Sequence, residues 1–565
     1  MRDHHDSLAT RGLLLTTLAG AALVLHACTP RLEPRGAVSD PAPGAATAPG
    51  AATATGAAAT PAPADTLGPD DSGRSSEAPA SGNDGPASGK DAPAPADHVA
   101  LLPTVERWHT HVTDELLPFW THPDALGTPP GNFPTFRCND GGAYRASAPC
   151  PELGQAPAWI ASELGTEYTR MKSRQTFVYG VGFHITGDPA LLAQARAGVE
   201  WLRQNAYERS GSAVSWWRNG KAGPPPKQRT TQDLAYAQLG LAFYYYLTRD
   251  PEVLADLVRL EQHVFSSYLD ESSGMLRWVR EASAAGQPGQ QELVAQLDQL
   301  NAYLLLIAPL LDEPHRGRWF GHVSRLAKVL RERFWAAEHG LFWGAIHEPA
   351  RRALGTHHTD FGHSVKALWM LYLAGRLLGD GELGRFAKHG ADGLIARAFL
   401  PSGCWASGVD AEGHIDQGSN WWTSAELDQT SATLALVDRT QARYLARSYA
   451  CWLERFVDPV HHEVWPFVSP DWPEDLKAPV RPAKVFQWKN GYHAMEHALV
   501  ALITTAGLRG QPLALHFAFR RRPAPERIQP YLFQGRIAEE APVPLPELPG
   551  LRDLQGVRIV FRDIR

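Results

Sequence analysis

Two histidines stand at the start of strongly apolar segments, where acid-base chemistry could be placed. His363 follows Asp360 at the opening of one segment, and His493 follows Lys489 at the opening of the last. An imidazole titrates near neutral pH, so it can take a proton from a substrate and return it. The positive end of a helix dipole keeps such an imidazole from being permanently charged. We therefore expect His363 and His493 to be candidates for a catalytic acid-base pair.

A third stretch combines aromatic and acidic side chains. It runs from Trp421 and Trp422 to Glu426, in a chain that contains 18 tryptophans. Indole rings can stack on the faces of sugar rings, although most tryptophans of a folded protein pack in its core. The stretch is therefore typical of a pocket that binds a carbohydrate.

Other chemistries remain open at the level of the sequence. The segment from His493 to His497 has the His-x-x-Glu-His pattern of inverted-motif zinc peptidases, but the acidic residues that follow it lie in Pro-rich text. A glycoside hydrolase needs two carboxylates across its pocket, for which Asp233, Asp360 and Glu426 are candidates. A non-catalytic glycan-binding protein is a further alternative. The chain has no Gly-rich dinucleotide fingerprint, and we predict neither a cofactor nor a metal.

The elements that must position these residues are helices. From Val99 onward apolar residues recur every three or four positions, and several segments are joined by Gly-Asp or Arg-Asp turns. The pattern predicts about twelve helices, near residues 99–120, 163–186, 190–206, 231–248, 252–268, 292–311, 319–335, 362–378, 382–397, 421–438, 440–456 and 491–507. Six irregularly spaced hairpins favour an all-α, closed (α/α)6 barrel with one central pocket over residues 98–510. Residues 511–565 differ, because 513–519 and 556–561 alternate like strands, and we expect a short extended appendage there.

The first hundred residues are not globular in composition. Residues 1–28 combine positive charge, a short apolar run and a final Leu-His-Ala-Cys, which resembles the lipobox of bacterial lipoproteins and makes Cys28 the expected lipidation site. Residues 29–97 are rich in Ala, Pro and Gly and predict a disordered linker. We expect a lipid-anchored protein of the cell envelope, at the outer membrane and facing the periplasm or the surface.

The cysteine count suits an exported protein. Without Cys28 four cysteines remain, and in an oxidising compartment they suit two disulfides, Cys138–Cys150 and Cys404–Cys451, with zinc binding as the alternative. The formal net charge of -6 gives no indication of nucleic-acid binding.

The order of several motifs resembles the N-acylglucosamine 2-epimerase superfamily of sugar epimerases and isomerases over about residues 100–508. The motifs that carry the resemblance are Gly131-Asn132-Phe133 with Asp140-Gly141, Lys172 to Phe177, Asp233-Leu234-Ala235-Tyr236, Gly362-His363, Trp421-Trp422 with Glu426, and Lys489 with Tyr492-His493. The resemblance implies an enzyme that removes the proton next to the carbonyl of an open-chain sugar and returns it through an enediol or enolate.

The resemblance also implies roles for individual residues. His363 and His493 match the acid-base pair, and Arg174 would stabilise the developing oxyanion. The residues that match substrate-binding positions are Arg174, Asp233, Asn301, Trp421, Trp422, Glu426 and Lys489. The partner is then a small reducing sugar, and a homodimer is a further partner prediction.

Some positions depart from the family pattern. Asn301 is kept, but Leu305 and Ala308 stand where the family often has His and Glu. Lys366 replaces a Glu three residues after the first histidine, and Glu496 replaces an Arg three residues after the second. We therefore expect a conserved fold and histidine pair with an altered set of sugar contacts.

Overall fold

The structure is a computed structural model that describes residues 97–283, 286–548 and 550–565. Residues Asp97–Arg565 belong to one compact unit. The predicted signal segment, Cys28 and the linker up to residue 96 lie outside the described residues.

Helices dominate the described part of the chain, as predicted. The main helices are α1 Val105–Thr110, α2 Thr169–Thr186, α3 Pro189–Asn205, α4 Thr231–Thr248, α5 Pro251–Tyr268, α6 Leu293–Gln299, α7 His315–Val329, α8 Phe361–Leu378, α9 Gly381–Ala398, α10 Trp421–Ala435, α11 Ala442–Cys451 and α12 Tyr492–Arg509. Four of them continue through π-helical turns, at His111–Leu116, Leu300–Leu304, Leu330–Phe334 and Trp452–Phe456, and the first two of these lead into the short helices Leu117–Trp120 and Leu305–Ile307.

The even-numbered helices form an inner ring and the odd-numbered helices an outer ring. Helices α2 and α4 are buried on nearly every side, because their sequences carry apolar or internally bonded residues all round. Outer helices such as α5 bury one face only. Helix α12 packs against α2, which closes the ring, and the predicted (α/α)6 barrel is confirmed.

The predicted turns between paired helices are also confirmed. Helix α2 ends at Gly187 in the left-handed conformation, with φ of 76°, and the next residue, Asp188, caps α3 by accepting the N–H of Ala190. Asp250 and Asp380 cap α5 and α9 in the same manner.

The stretch Leu293–Leu310 is long and apolar enough to cross a membrane by length and composition. Inside the barrel 89% of it is buried, as expected of a core helix.

Strands occupy the loops and the appendage. They are β1 Thr166–Tyr168, β2 Trp216–Arg218, β3 Lys221–Gly223, β4 Leu269–Asp270, β5 Met275–Leu276, β6 Trp335–Ala336, β7 Leu341–Phe342, β8 Ser419–Asn420, β9 Phe467–Val468, β10 Leu513–Phe519, β11 Arg536–Val543 and β12 Gln555–Arg562. The last three form an antiparallel sheet in the order β10-β12-β11, with Leu515 opposite Ile559. The appendage is therefore a small sheet, in which β10 and β12 match the predicted strands.

The sheet packs on the ends of α2 and α4. The ring of His184 meets the carbonyl oxygen of His516 at 2.8 Å, and the hydroxyl of Tyr246 donates to the carbonyl of Gln529 at 2.7 Å. Both predicted disulfides are present, Cys138–Cys150 and Cys404–Cys451.

Candidate active site

His363 lies in the first turn of α8 and is oriented by the residue that caps this helix. One carboxylate oxygen of Asp360 accepts the backbone N–H of His363 at 2.8 Å, and the other lies 2.7 Å from Nδ1 of the ring. A carboxylate can only accept, so Nδ1 carries a proton and Nε2 is left to exchange a proton with a substrate. The residue is 8% exposed, so the ring is nearly enclosed without being sealed off from the mouth of the barrel.

His493 lies in the first turn of α12 and is 7% exposed. Its Nδ1 has no hydrogen-bond partner among the described residues and faces Oε1 of Glu426 at 3.7 Å. Burial holds the pKa of His493 well below its ordinary value of 6.5, and the positive charges of Arg174, Lys366 and Lys489 act in the same direction. At neutral pH this imidazole is therefore uncharged and able to accept a proton.

The indole ring of Trp422 lies near the rings of both histidines. The ring of Trp422 lies 4.6 Å from the ring of His363 and 6.2 Å from the ring of His493, measured between centroids. Trp421 lies 6.5 Å from His493 on another side. Both tryptophans are almost completely buried, and their indole N–H groups have no partner in the described part of the chain. The structure thus brings together the two predicted histidines and both predicted tryptophans.

Arg174 supplies a cation beside this pair. It lies on α2, and its guanidinium stacks 4.0 Å from the ring centre of Tyr236 while one N–H group donates to the carbonyl of Trp488 at 2.8 Å. Among the described residues its Nε has no hydrogen-bond partner, and its guanidinium forms no ion pair with a carboxylate. A fixed cation with free donors next to an uncharged imidazole is well placed to stabilise an oxyanion.

The remaining predicted contacts are occupied by protein partners. Asp233 pairs with Arg170 at 2.6 Å, and Asn301 donates to the hydroxyl of Tyr492 at 3.0 Å. Lys489 is completely buried beside Trp421, its ammonium 3.2 Å from Glu463, and burial lowers its pKa to about 8. Sugar binding by these three residues stays a prediction.

A layer of buried charges lies behind His493. Glu426 and Glu496 lie close to the ring, and one candidate ligand atom from each of the three side chains is within 4.8 Å of the others. Burial raises the pKa of Glu426 to about 8 and also raises the pKa of Glu496. Lys366 binds Asp298 at 2.9 Å and the hydroxyl of Tyr236 at 3.1 Å.

The geometry of this layer could hold a metal ion, but its electrostatics favour protons and hydroxyl groups. Arg174, Lys366 and Lys489 all place positive charge near His493, which opposes the binding of a further cation. The His-x-x-Glu-His pattern also does not form a zinc site, because His497 binds Asp428 at 2.9 Å and packs 4.1 Å from the ring of Trp452.

The three carboxylates proposed for a hydrolase are not arranged as a flanking pair. Asp233 is paired with Arg170, and Asp360 uses both oxygens on His363. Glu426 lies completely buried behind His493. The arrangement therefore favours two imidazoles that exchange protons with a substrate over two carboxylates that hydrolyse it.

Sequence reasoning missed three neighbours of the site. His358 packs 4.5 Å from His363 and lies in the loop before α8. Glu496 was treated as a family departure, and Tyr531 in the appendage donates to it at 2.6 Å. The i, i+3 spacing of Asp360 and His363 is the signal that could have identified their hydrogen bond.

Known proteins resemble the chain in sequence. No family model matches it. A cellobiose 2-epimerase of Ruminococcus albus is 23% identical over 343 residues, which cover 57% of this chain and 84% of that protein. A cellobiose 2-epimerase of Bacteroides fragilis is 23% identical over 279 residues, covering 45% of this chain and 67% of that protein.

Solved structures resemble the fold. Cellobiose 2-epimerase from Bacillus thermoamylovorans superposes with a TM-score of 0.58 at 15% identity, covering 70% of this chain and 98% of the other. A D-mannose isomerase gives a TM-score of 0.57 at 15% identity, with 73% and 99% covered.

Fold and site define the class as (α/α)6 barrel proteins with a histidine pair at the mouth of the barrel. The sequence relatives are cellobiose 2-epimerases at 23% identity, and the order of the motifs is similar to that of the N-acylglucosamine 2-epimerase superfamily.

Proposed function

We propose that the protein is a sugar epimerase or isomerase that moves the proton at C2 of a reducing sugar. The observation that carries the proposal is the placement of two imidazoles against the same indole, Trp422, with Arg174 beside them. One imidazole, His493, is uncharged at neutral pH, and the other, His363, keeps a proton on Nδ1 through its contact with Asp360.

The steps follow from these positions. The C2–H bond breaks, its proton moves to Nε2 of His493, and its electron pair forms the enediolate, whose oxygen faces Arg174. In an epimerase His363, which then carries a proton on each ring nitrogen, delivers the proton of Nε2 to the opposite face of C2 and becomes neutral, and exchange with solvent resets both imidazoles. In an isomerase His493 instead returns its proton to C1, and the hydroxyl proton of O2 is transferred to O1, so that the carbonyl moves to C2. The reverse reaction exchanges the roles of donor and acceptor.

Proton exchange in heavy water tests the proposal. The protein is incubated with a panel of reducing sugars that includes cellobiose, because two relatives are named for it, and mannose, because one structural neighbour is named for it. We expect NMR to show deuterium at C2, or at C1 and C2 for an isomerase, in one sugar. A folded protein that exchanges no proton in any sugar would contradict the proposal.

We also propose that the protein is exported and anchored at the outer membrane through a lipid on Cys28. The lipobox-like sequence supports this proposal, as do two disulfides, which persist in oxidising compartments. In a bacterial host we expect labelled fatty acid to enter the wild-type chain and the chain to sediment with membranes. Cys28→Ser should abolish both results, whereas a wild-type chain without label would refute the anchor.

Self-association into a homodimer stays a prediction that light scattering can check.

A further inference from the structure

The C-terminal appendage reaches the layer behind the catalytic histidine through one side chain. Tyr531 lies between β10 and β11 and is only 3% exposed. Its hydroxyl donates to Oε1 of Glu496 at 2.6 Å, and its backbone N–H donates to the hydroxyl of Tyr246 at 2.8 Å. The appendage therefore contributes a hydrogen bond inside the barrel as well as a cover for its end.

Glu496 is one helical turn after His493, so both side chains lie on the same face of α12. Glu426 approaches them from α10, and neither of its oxygens has a hydrogen-bond partner among the described residues. The second oxygen of Glu496, Oε2, also has no such partner. Two carboxyl groups and one imidazole nitrogen thus occupy one small buried space.

Two carboxylates in so small a buried space do not both ionise readily, so the pair holds a proton. Among the described residues no lysine or arginine forms an ion pair with either group, since Lys366 binds Asp298 and Lys489 binds Glu463. The charged and titratable groups that face the pair and His493 are Arg174 from α2, Tyr236 from α4, Asp298 from α6, His363 and Lys366 from α8, Tyr492 from α12, Lys489 before α12 and Tyr531 from the appendage.

We propose that Tyr531 is a positioning residue of the active site, which stabilises Glu496 as a carboxylate and so keeps the shared proton on Glu426. The hydroxyl of Glu426 then donates to Glu496, and its carbonyl oxygen faces Nδ1–H of His493. A neutral Glu426 favours the tautomer of His493 that carries its proton on Nδ1, but it does not stabilise the charged imidazolium. Nε2 of His493 therefore remains able to accept a proton. The burial of Glu426 agrees, because it raises the pKa of this group to about 8.

Removal of the hydroxyl in Tyr531→Phe tests the inference, which rests on the proposed function for the role of His493 as the base. Glu496 should then compete for the proton, Glu426 should ionise, and its charge should raise the pKa of His493. We expect the acid limb of the kcat/KM profile for C2 exchange to move up by about one pH unit. At a pH on the acid limb, exchange should fall by a factor of about 10 and recover as the pH rises, with little change in KM.

Tyr246→Phe is the matched control. The Tyr246 hydroxyl also holds the loop of the appendage, through Gln529 and the N–H of Tyr531, but it does not touch Glu496. We expect Tyr246→Phe to lower Tm and leave the pH profile in place. If Tyr531→Phe lowers Tm in the same way without moving the profile, Tyr531 only docks the appendage and the inference is wrong.

A measurement without substrate separates this inference from the proposed function. In protein labelled at its histidine rings, NMR can follow the tautomer and titration of His493, whose signal is identified by its loss in His493→Gln. We expect His493 to titrate at higher pH in Tyr531→Phe, and also in Glu496→Gln, which removes the carboxylate that binds the proton of Glu426. Unchanged titration in both variants would overturn the inference, even if the sugar panel shows exchange. Shifted titration would support it even if the panel shows none.

Discussion

Deuterium exchange at C2 is expected to fall by about 10²–10⁴-fold when His493 is replaced by glutamine. Glutamine keeps a polar side chain of similar size but cannot take up a proton. In the wild-type protein burial holds the pKa of His493 well below 6.5, so the imidazole stays a free base as the pH falls through the range in which ordinary histidines become charged. We therefore also expect the acid limb of kcat/KM to lie below pH 6.5, which initial rates of exchange across pH will measure.

The control for this prediction is His461→Gln at an exposed loop histidine. It should exchange protons at the wild-type rate, whereas His363→Gln should lose exchange in the same manner as His493→Gln. Retention of exchange in either active-site variant, with the fold intact by circular dichroism, would remove that histidine from the acid-base pair.

The second large effect is expected at Arg174. Replacement by methionine keeps much of the side-chain volume but removes the charge and the donors that face the developing oxyanion, and kcat should fall by about 10²–10³-fold. The loss of a positive charge should also raise the pKa of His493, since Arg174 helps to keep that pKa low. The acid limb should then move to higher pH.

Arg174→Lys distinguishes charge from geometry. A lysine restores a positive charge but not the planar fork of donors, so we expect it to return the acid limb toward the wild-type position and to recover only part of kcat. If Arg174→Met reduces Tm but leaves both kcat and the pH profile unchanged, Arg174 only packs against Tyr236.

The barrel could be predicted because its physical cause is local. Helical periodicity, Asp caps and Gly stops all act within one or two turns, and Gly187 with Asp188 shows how such signals mark a hairpin. Strand β11 was missed because it is an edge strand whose charged side chains and Pro542 break the apolar alternation that marks a strand. Its pairing with β12 depends on contacts that no local pattern shows.

The site could be predicted only in part. The histidine pair and the tryptophans follow from residue type, position at helix starts and motif order. Asp233 forms an ion pair with Arg170, and Lys489 forms one with Glu463. These partners come from distant segments, so no local pattern predicts the pairs. Tyr531 carries no local sign of its contact, because it lies in Pro-rich sequence and meets Glu496 only after the sheet has docked.

The closure of the ring by α12 against α2 has a consequence for biosynthesis. A ribosome delivers the chain from its N-terminus, so α2 emerges long before its neighbour α12 and exposes apolar surface in the meantime. The segment that carries Tyr531 emerges later still. The nascent chain can therefore form hairpins one after another, but it can assemble the histidine pair only after α12 has been made. A polypeptide interrupted before that point would be an inactive substrate for chaperones and proteases.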